Sequence, residues 1–166
     1  MKRAPFGYKV EINQHGGKKY AVNPKESDIL ETIFFMCFDG HSCLEIASYL
    51  NAQKNKTRNK QPFNTLSVAS ILKNPFYIGF DRERENGRTY LVRFREEEYE
   101  PFINTELWVD AQISFKNYET LKEVLPISII REDIRSLDSS ALTQIIERGY
   151  ESYILKLRRE WEELRI

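Results

Sequence analysis

The chain has 166 residues, 41% of them hydrophobic and 13% aromatic, enough to bury a sizeable core in one compact domain with an appendage. Its 25 Lys and Arg balance 25 Asp and Glu, so no overall basic excess marks a nucleic-acid binder, and no apolar run is long enough to span a membrane. The charge is uneven, however: residues 1–96 carry 16 Lys and Arg against 10 acids and residues 97–166 carry 9 against 15, compatible with one part facing DNA and another facing elsewhere. Cys37 and Cys43 are the only cysteines. With no signal peptide and both thiols at helical core positions, a reducing cytoplasm is the simplest compartment, and a zinc site built with His41 lacks a fourth ligand and paired Cys-x-x-Cys spacing.

Gly7 to Ile12 and Lys18 to Val22 read as a hairpin, with His15-Gly16-Gly17 at its turn. Asn23-Pro24-Lys25-Glu26 predicts a helix start with Asn as N-cap, Pro at the first helical position and Glu at the third. Ile29, Ile33, Phe34 and Cys37 face inwards on that helix, and Gly40 ends it. Phe34, Phe35 and Phe38 at helical spacing read as core more readily than as base-stacking residues. Ser42 and Glu45 form a capping box for a second helix to about Ala52, with Cys43, Ile46, Ala47 and Leu50 on its core face. Asn64 caps a third, on which Val68, Ile71 and Leu72 point inwards and Leu66, Ala69, Ser70 and Lys73 outwards. That outer face, with Thr65 and Ser67, has the short side chains that let a helix approach base edges in a major groove. The linker between these two helices places Lys54, Lys56, Arg58 and Lys60 at every second position with no acid among them. It reads either as a solvated loop or as a set of phosphate contacts.

Asn74-Pro75 stops the third helix, Tyr77 to Arg84 reads as a strand, and Asn86-Gly87 is a hairpin turn leading to a return strand from Arg88 to Arg95. In that register Glu85 pairs with Arg88, Arg84 with Thr89, Arg82 with Leu91 and Phe80 with Arg93. Arg82, Arg84, Arg93 and Arg95 then share one face of a wing, which is either an ordinary solvated side with cross-strand ion pairs or a phosphate-binding surface. Glu96, Glu97 and Glu98 read as a solvated link, because adjacent strand residues point to opposite faces and do not converge on a metal. Asn104 caps a helix with Leu107, Trp108, Ala111 and Phe115 on one stripe. Beyond Pro126 a short helix is expected over Ile127 to Ser136. A long one starts at Asp138-Ser139-Ser140, and its apolar seam of Leu142, Ile146, Tyr150, Tyr153, Leu157, Trp161 and Leu164 needs a partner: the preceding helix, the domain itself or another chain.

Ala4-Pro5-Phe6-Gly7-Tyr8, Val22-Asn23-Pro24 with Glu26, Gly40-His41-Ser42, Ile46-Ala47, Leu50-Asn51, Val68, Ile71-Leu72, Asn74-Pro75 and Tyr77-Ile78-Gly79, followed by Pro101-Phe102-Ile103 and Glu106-Leu107-Trp108, occur in an order and spacing that resembles the recombinase domain of large serine recombinases, over roughly residues 2 to 118. The resemblance implies a non-catalytic module that binds the double-stranded DNA of an attachment site, with Lys2 and Arg3 in a segment running along the DNA. The serine-bearing catalytic domain and the zinc ribbon usual in such proteins are not matched. No nucleophile with a base, metal set or phosphate loop appears either, so the expectation is a binding protein needing no cofactor and no metal. The expected fold is α+β and predominantly helical: a three-helix, helix-turn-helix-like core, two β-hairpins and a long C-terminal helix. Residues 1–118 are expected to form the DNA-binding domain and 119–166 a helical appendage, of which 138–166 is the candidate surface for self-association or a protein partner. A second reading makes the chain a recombinase-like regulatory protein acting through that acidic tail.

Overall fold

The computed structural model describes residues 2–125 and 134–165. Among these, seven α-helices and two antiparallel hairpins follow in the order β1 (Tyr8–Ile12), β2 (Lys18–Val22), α1 (Ser27–Phe38), α2 (Cys43–Ala52), α3 (Thr65–Lys73), β3 (Phe80–Glu85), β4 (Arg88–Arg93), α4 (Thr105–Ser114), α5 (Tyr118–Val124), α6 (Ser139–Arg148) and α7 (Tyr150–Leu164). The fold is the expected α+β arrangement with helices predominating. Most of the stretch expected as a short helix over 127–136 lies outside the described residues; Ile134–Ser136 closes it as a single 3-10 turn.

Local chemistry sets the ends of these elements. Ser42 Oγ accepts the Glu45 N–H at 3.1 Å while Glu45 Oε1 accepts the Ser42 N–H at 3.1 Å, closing the capping box of α2. Asn64 and Ser67 do the same for α3, at 2.8 and 2.9 Å. Gly40, at φ 93°, takes the left-handed conformation that ends α1. The start of α1 differs from expectation. Residues 24–26 form a turn held to the Asn23 carbonyl, and the helix begins at Ser27 with no side-chain cap, because the Glu26 carboxylate is drawn away to Gly7 and Arg58. The strand expected from Tyr77 also begins later. Asn74 Oδ1 accepts the Phe76 N–H at 3.0 Å and Pro75 starts a 3-10 turn through Ile78, so β3 starts at Phe80. The β3–β4 register is the expected one, with Asn86 and Gly87 at φ 51° and 76° in the turn. The helix expected to run on from Ser139 is divided: Gly149, at φ 85° and ψ 158°, separates α6 from α7.

Leu30, Ile33 and Phe34 of α1, Ile46 and Leu50 of α2, Val68 and Leu72 of α3, and Trp108 and Val109 of α4 are buried in one core. α6 packs on α4 and adds Leu142, Ile145 and Ile146 to that cluster. A second layer is aromatic. Tyr99 stacks between Tyr8 and Phe94 with ring centres 5.4 and 5.3 Å away, and Phe76 meets Tyr8, Tyr20, Phe94 and Tyr99 edge-on at 4.9 to 5.6 Å. These rings join β1–β2, the turn after α3 and the end of the wing to one another.

Candidate nucleic-acid interface

α3 is held from behind by two polar side chains of α4. Trp108 Nε1 donates to the Asn74 carbonyl at 3.1 Å, and the fully buried Gln112 donates through Nε2 to the Leu72 carbonyl at 2.7 Å. The Leu72 carbonyl left free at the end of α3 is thus satisfied inside the core, and the Asn74 carbonyl, which also accepts the Tyr77 N–H, gains a second donor. Its opposite face is open: Thr65, Leu66, Ser70 and Lys73 are exposed, Leu66 at 78%, while Ser67 is half-buried with its hydroxyl in the capping box. Beside it a shallow groove is formed by Arg3 and Phe6 of the N-terminal segment, Asn59 of the linker, and Ser67 and Ser70 of α3.

The linker is folded, not floppy. Asn51 of α2 clamps its far end, donating to the Phe63 carbonyl and accepting the Phe63 N–H, both at 2.8 Å. Thr57 N–H donates to Gln61 at 2.8 Å, and Lys54 and Lys60 adopt φ near 60° at the two bends. Lys54, Lys56 and Lys60 remain exposed. Arg58, expected among the phosphate contacts, turns inwards: its Nε and Nη2 lie 3.0 and 2.5 Å from the two Glu26 oxygens, and it also donates to the carbonyls of Ala4, Pro5 and Tyr8. Burial acts to raise the Glu26 carboxyl, but the Arg58 fork and the Gly7 N–H outweigh it and hold Glu26 below the usual carboxylate range.

Arg82, Arg84 and Arg93 share a face in the β3–β4 register, yet their surroundings differ. Arg82 pairs with Glu123 of α5 at 2.7 Å; Arg93 lies over the Phe80 ring at 4.5 Å and donates to the Ile146 carbonyl of α6 at 2.7 Å. Arg95 lies beyond the strand and pairs with Glu98 at 2.5 Å. Arg84, near the turn, is exposed and makes no ion pair among the described residues. Lys2 reaches Asp81 at 3.3 Å and the Arg82 carbonyl, tying the N-terminal segment to the wing, whereas Arg3 is exposed and touches Asn59 at 3.4 Å. Of the positions singled out by sequence, the structure gathers Arg3, Arg58, Ser67 and Ser70 around one groove, leaves Thr65, Lys73 and the three linker lysines exposed, bonds the Arg58 guanidinium to Glu26 and the N-terminal segment, and ties the exposed Arg82 and Arg93 to α5 and α6. Sequence reasoning did not single out Glu26, Asn51 and Gln112 as positioning residues; Glu26 and Asn51 stood within the ordered family-like motifs, and Gln112 only as a lone amide in a largely apolar helix.

Residues 24–117, from the turn before α1 to the end of α4, match the family described as Recombinase. The chain belongs to the recombinase family. Comparison with curated proteins and with solved structures returned no match. The region shared with the recombinase family holds the helix core, the linker and the wing, while β1–β2 precedes it and α5 to α7 follow it. Membership ties this recombinase-family chain to site-specific DNA recombination. Among its described residues, no helix is long and apolar enough to cross a membrane.

Proposed function

We propose that this chain is a non-catalytic, cytoplasmic DNA-binding module of a site-specific serine recombinase. In this reading it holds attachment-site duplex through the open face of α3 and positions it through surrounding cations. The observation that carries the reading is the convergence of Arg3, the folded linker and the outer face of α3 on one groove. Thr65, Ser70 and Lys73 face base edges, while Arg3, Lys54, Lys56, Lys60 and, from the wing tip, Arg84 meet phosphates. Residues 1–118 supply this DNA-binding part. Fluorescence anisotropy of the purified chain on attachment-site and random duplexes, over a range of salt, tests the proposal. Both duplexes should bind, the attachment site more tightly, with a log–log salt slope of about one unit per phosphate engaged and no strand scission. A flat salt response, or cleavage by the chain alone, refutes it.

A second reading, a regulatory protein that acts through its tail, is favoured by one observation. α5 and α6 engage Arg82 and Arg93 of the wing, while Leu155, Trp161 and Leu164 of α7 stand 54%, 66% and 86% exposed. Concentration-dependent self-association that disappears on replacing Trp161, together with absent DNA binding, would support it over the first.

A further inference from the structure

Arg58 stands in the middle of the cationic linker, yet all three of its guanidinium nitrogens are bonded to protein acceptors. Its fork meets both oxygens of Glu26, the carbonyls of Pro5 and Tyr8 at 3.0 and 2.7 Å, and the carbonyl of Ala4, while Glu26 also accepts the Gly7 N–H at 2.8 Å. The side chains of the pair are 25% and 15% exposed. Three stretches distant in sequence, residues 4–8, Glu26 and the linker, are thereby joined at one point. Two of them line the groove beside α3, through Ala4 and Phe6 of the first and Thr57, Arg58 and Asn59 of the linker, next to Arg3. A planar guanidinium reaches all these acceptors at once, with the three at Nη2 sharing its two N–H groups; an ammonium, a compact charge with three donors, cannot.

We propose that Arg58 is a positioning residue for DNA binding and not a phosphate contact: paired with Glu26, it locks residues 4–8 against the linker so that Arg3 and the linker lysines present to one duplex beside α3. This rests on the DNA-binding reading above. The two roles part company on charge. At a phosphate contact, Lys keeps the cation and preserves most of the affinity, and removing the nearby Glu26 charge tightens binding. In a lock, Arg58→Lys fails because the fork is lost, and Glu26→Gln weakens binding although it makes the surface more positive.

The full chain, its Arg58→Lys, Arg58→Gln and Glu26→Gln variants and the double variant Arg58→Gln/Glu26→Gln are titrated by anisotropy on attachment-site and random duplexes, with thermal melts as control. Each single change should weaken attachment-site binding by about tenfold, the double should be no worse than the weaker single, and the salt slope should stay within about half a unit of the parent. In the folded variants, hydrogen exchange at the Gly7 amide should accelerate, because its acceptor is no longer held. Should the variants fail to fold, arginine modification by phenylglyoxal on the unaltered chain decides. Arg58 should be unreactive with and without DNA, whereas Arg3 and Arg84 react when free and are protected when bound. An Arg58→Lys protein that binds like the parent, a Glu26→Gln protein that binds more tightly, or an Arg58 that reacts freely until DNA is added overturns the proposal. A parent chain that binds neither duplex overturns the DNA-binding reading itself, and is recognised by failure before any substitution is made.

Discussion

Gln112 illustrates how one side chain fixes the orientation of the surface opposite it. It is fully buried, its amide nitrogen lies 2.7 Å from the Leu72 carbonyl and 2.9 Å from that of Trp108, and its oxygen accepts from Asn117 at 3.4 Å. Burial of an amide is tolerated because its donors are used, and an orphaned carbonyl at the end of α3 is satisfied in return. Gln112→Met keeps the volume but leaves the Leu72 carbonyl unpaired in the core. Chemical denaturation should therefore show a loss of about 1–3 kcal/mol. A variant as stable as the parent would mean that water reaches that carbonyl. Gly7 carries a comparable constraint through its backbone: at φ 91° with Leu30 Cδ2 only 2.5 Å from where a Cβ would lie, it lets the N-terminal segment pass over α1 and donate to Glu26.

At the scale of elements, the proposed DNA-binding reading has α3 read bases and the wing position the duplex. The inner face of α3, Val68 and Leu72, is fully buried, while Ser70 is exposed beside the groove. Ser70→Glu sets a carboxylate against base-edge acceptors and phosphates without touching the core, so it should abolish preference for the attachment site while the melting temperature stays unchanged. Arg84→Ala should act differently, weakening attachment-site and random duplexes alike and lowering the salt slope by about one. Retained discrimination in a folded Ser70→Glu protein would show that another element reads the sequence. Arg82 and Arg93 enter neither variant set because α5 and α6 engage them, so their removal would mix lost packing with any lost phosphate contact.

Across the whole molecule, the aromatic layer couples folding to alkaline pH. Burial pushes the Tyr8 hydroxyl up to about 12, and burial also moves Tyr20, Tyr77 and Tyr99 upwards from the ordinary value. An unfolded tyrosine releases its proton at about pH 10, so above that pH the folded chain holds more protons than the unfolded one. The contribution of these residues is thus complete below pH ~10 and is lost as pH rises through the folded-state values. Denaturation midpoints measured from neutral pH to about 12 should fall steeply above ~10, with phenolate absorbance of the buried tyrosines appearing together with loss of helical signal. Tyrosinate formation complete near pH ~10 in a still-folded chain would show that the ring cluster is open to solvent. Glu26 works in the opposite direction: held below the usual range, it contributes at neutral pH, and that contribution is lost on acidification through its lowered folded-state value.

Features of the chain that depend on near neighbours were legible in the sequence. The capping box of α2, the Asn64 cap of α3, the Asn86-Gly87 turn with its full cross-strand register, and the core faces of α2 and α3 follow from spacings of two to four residues, where backbone geometry leaves little choice. Family membership was legible too, because an ordered set of such local signals is what the family shares. Whether a charge is free or engaged was not legible, since it depends on partners far along the chain. Arg58 looked like its three lysine neighbours until residues 4–8 and Glu26 came together around it, and Arg82 and Arg93 looked like Arg84 until α5 and α6 closed on the wing. An amphipathic pattern records which face is apolar, but it carries no information about what a surface cation will meet; contacts separated by 32, 41 and 53 positions in the chain made that decision.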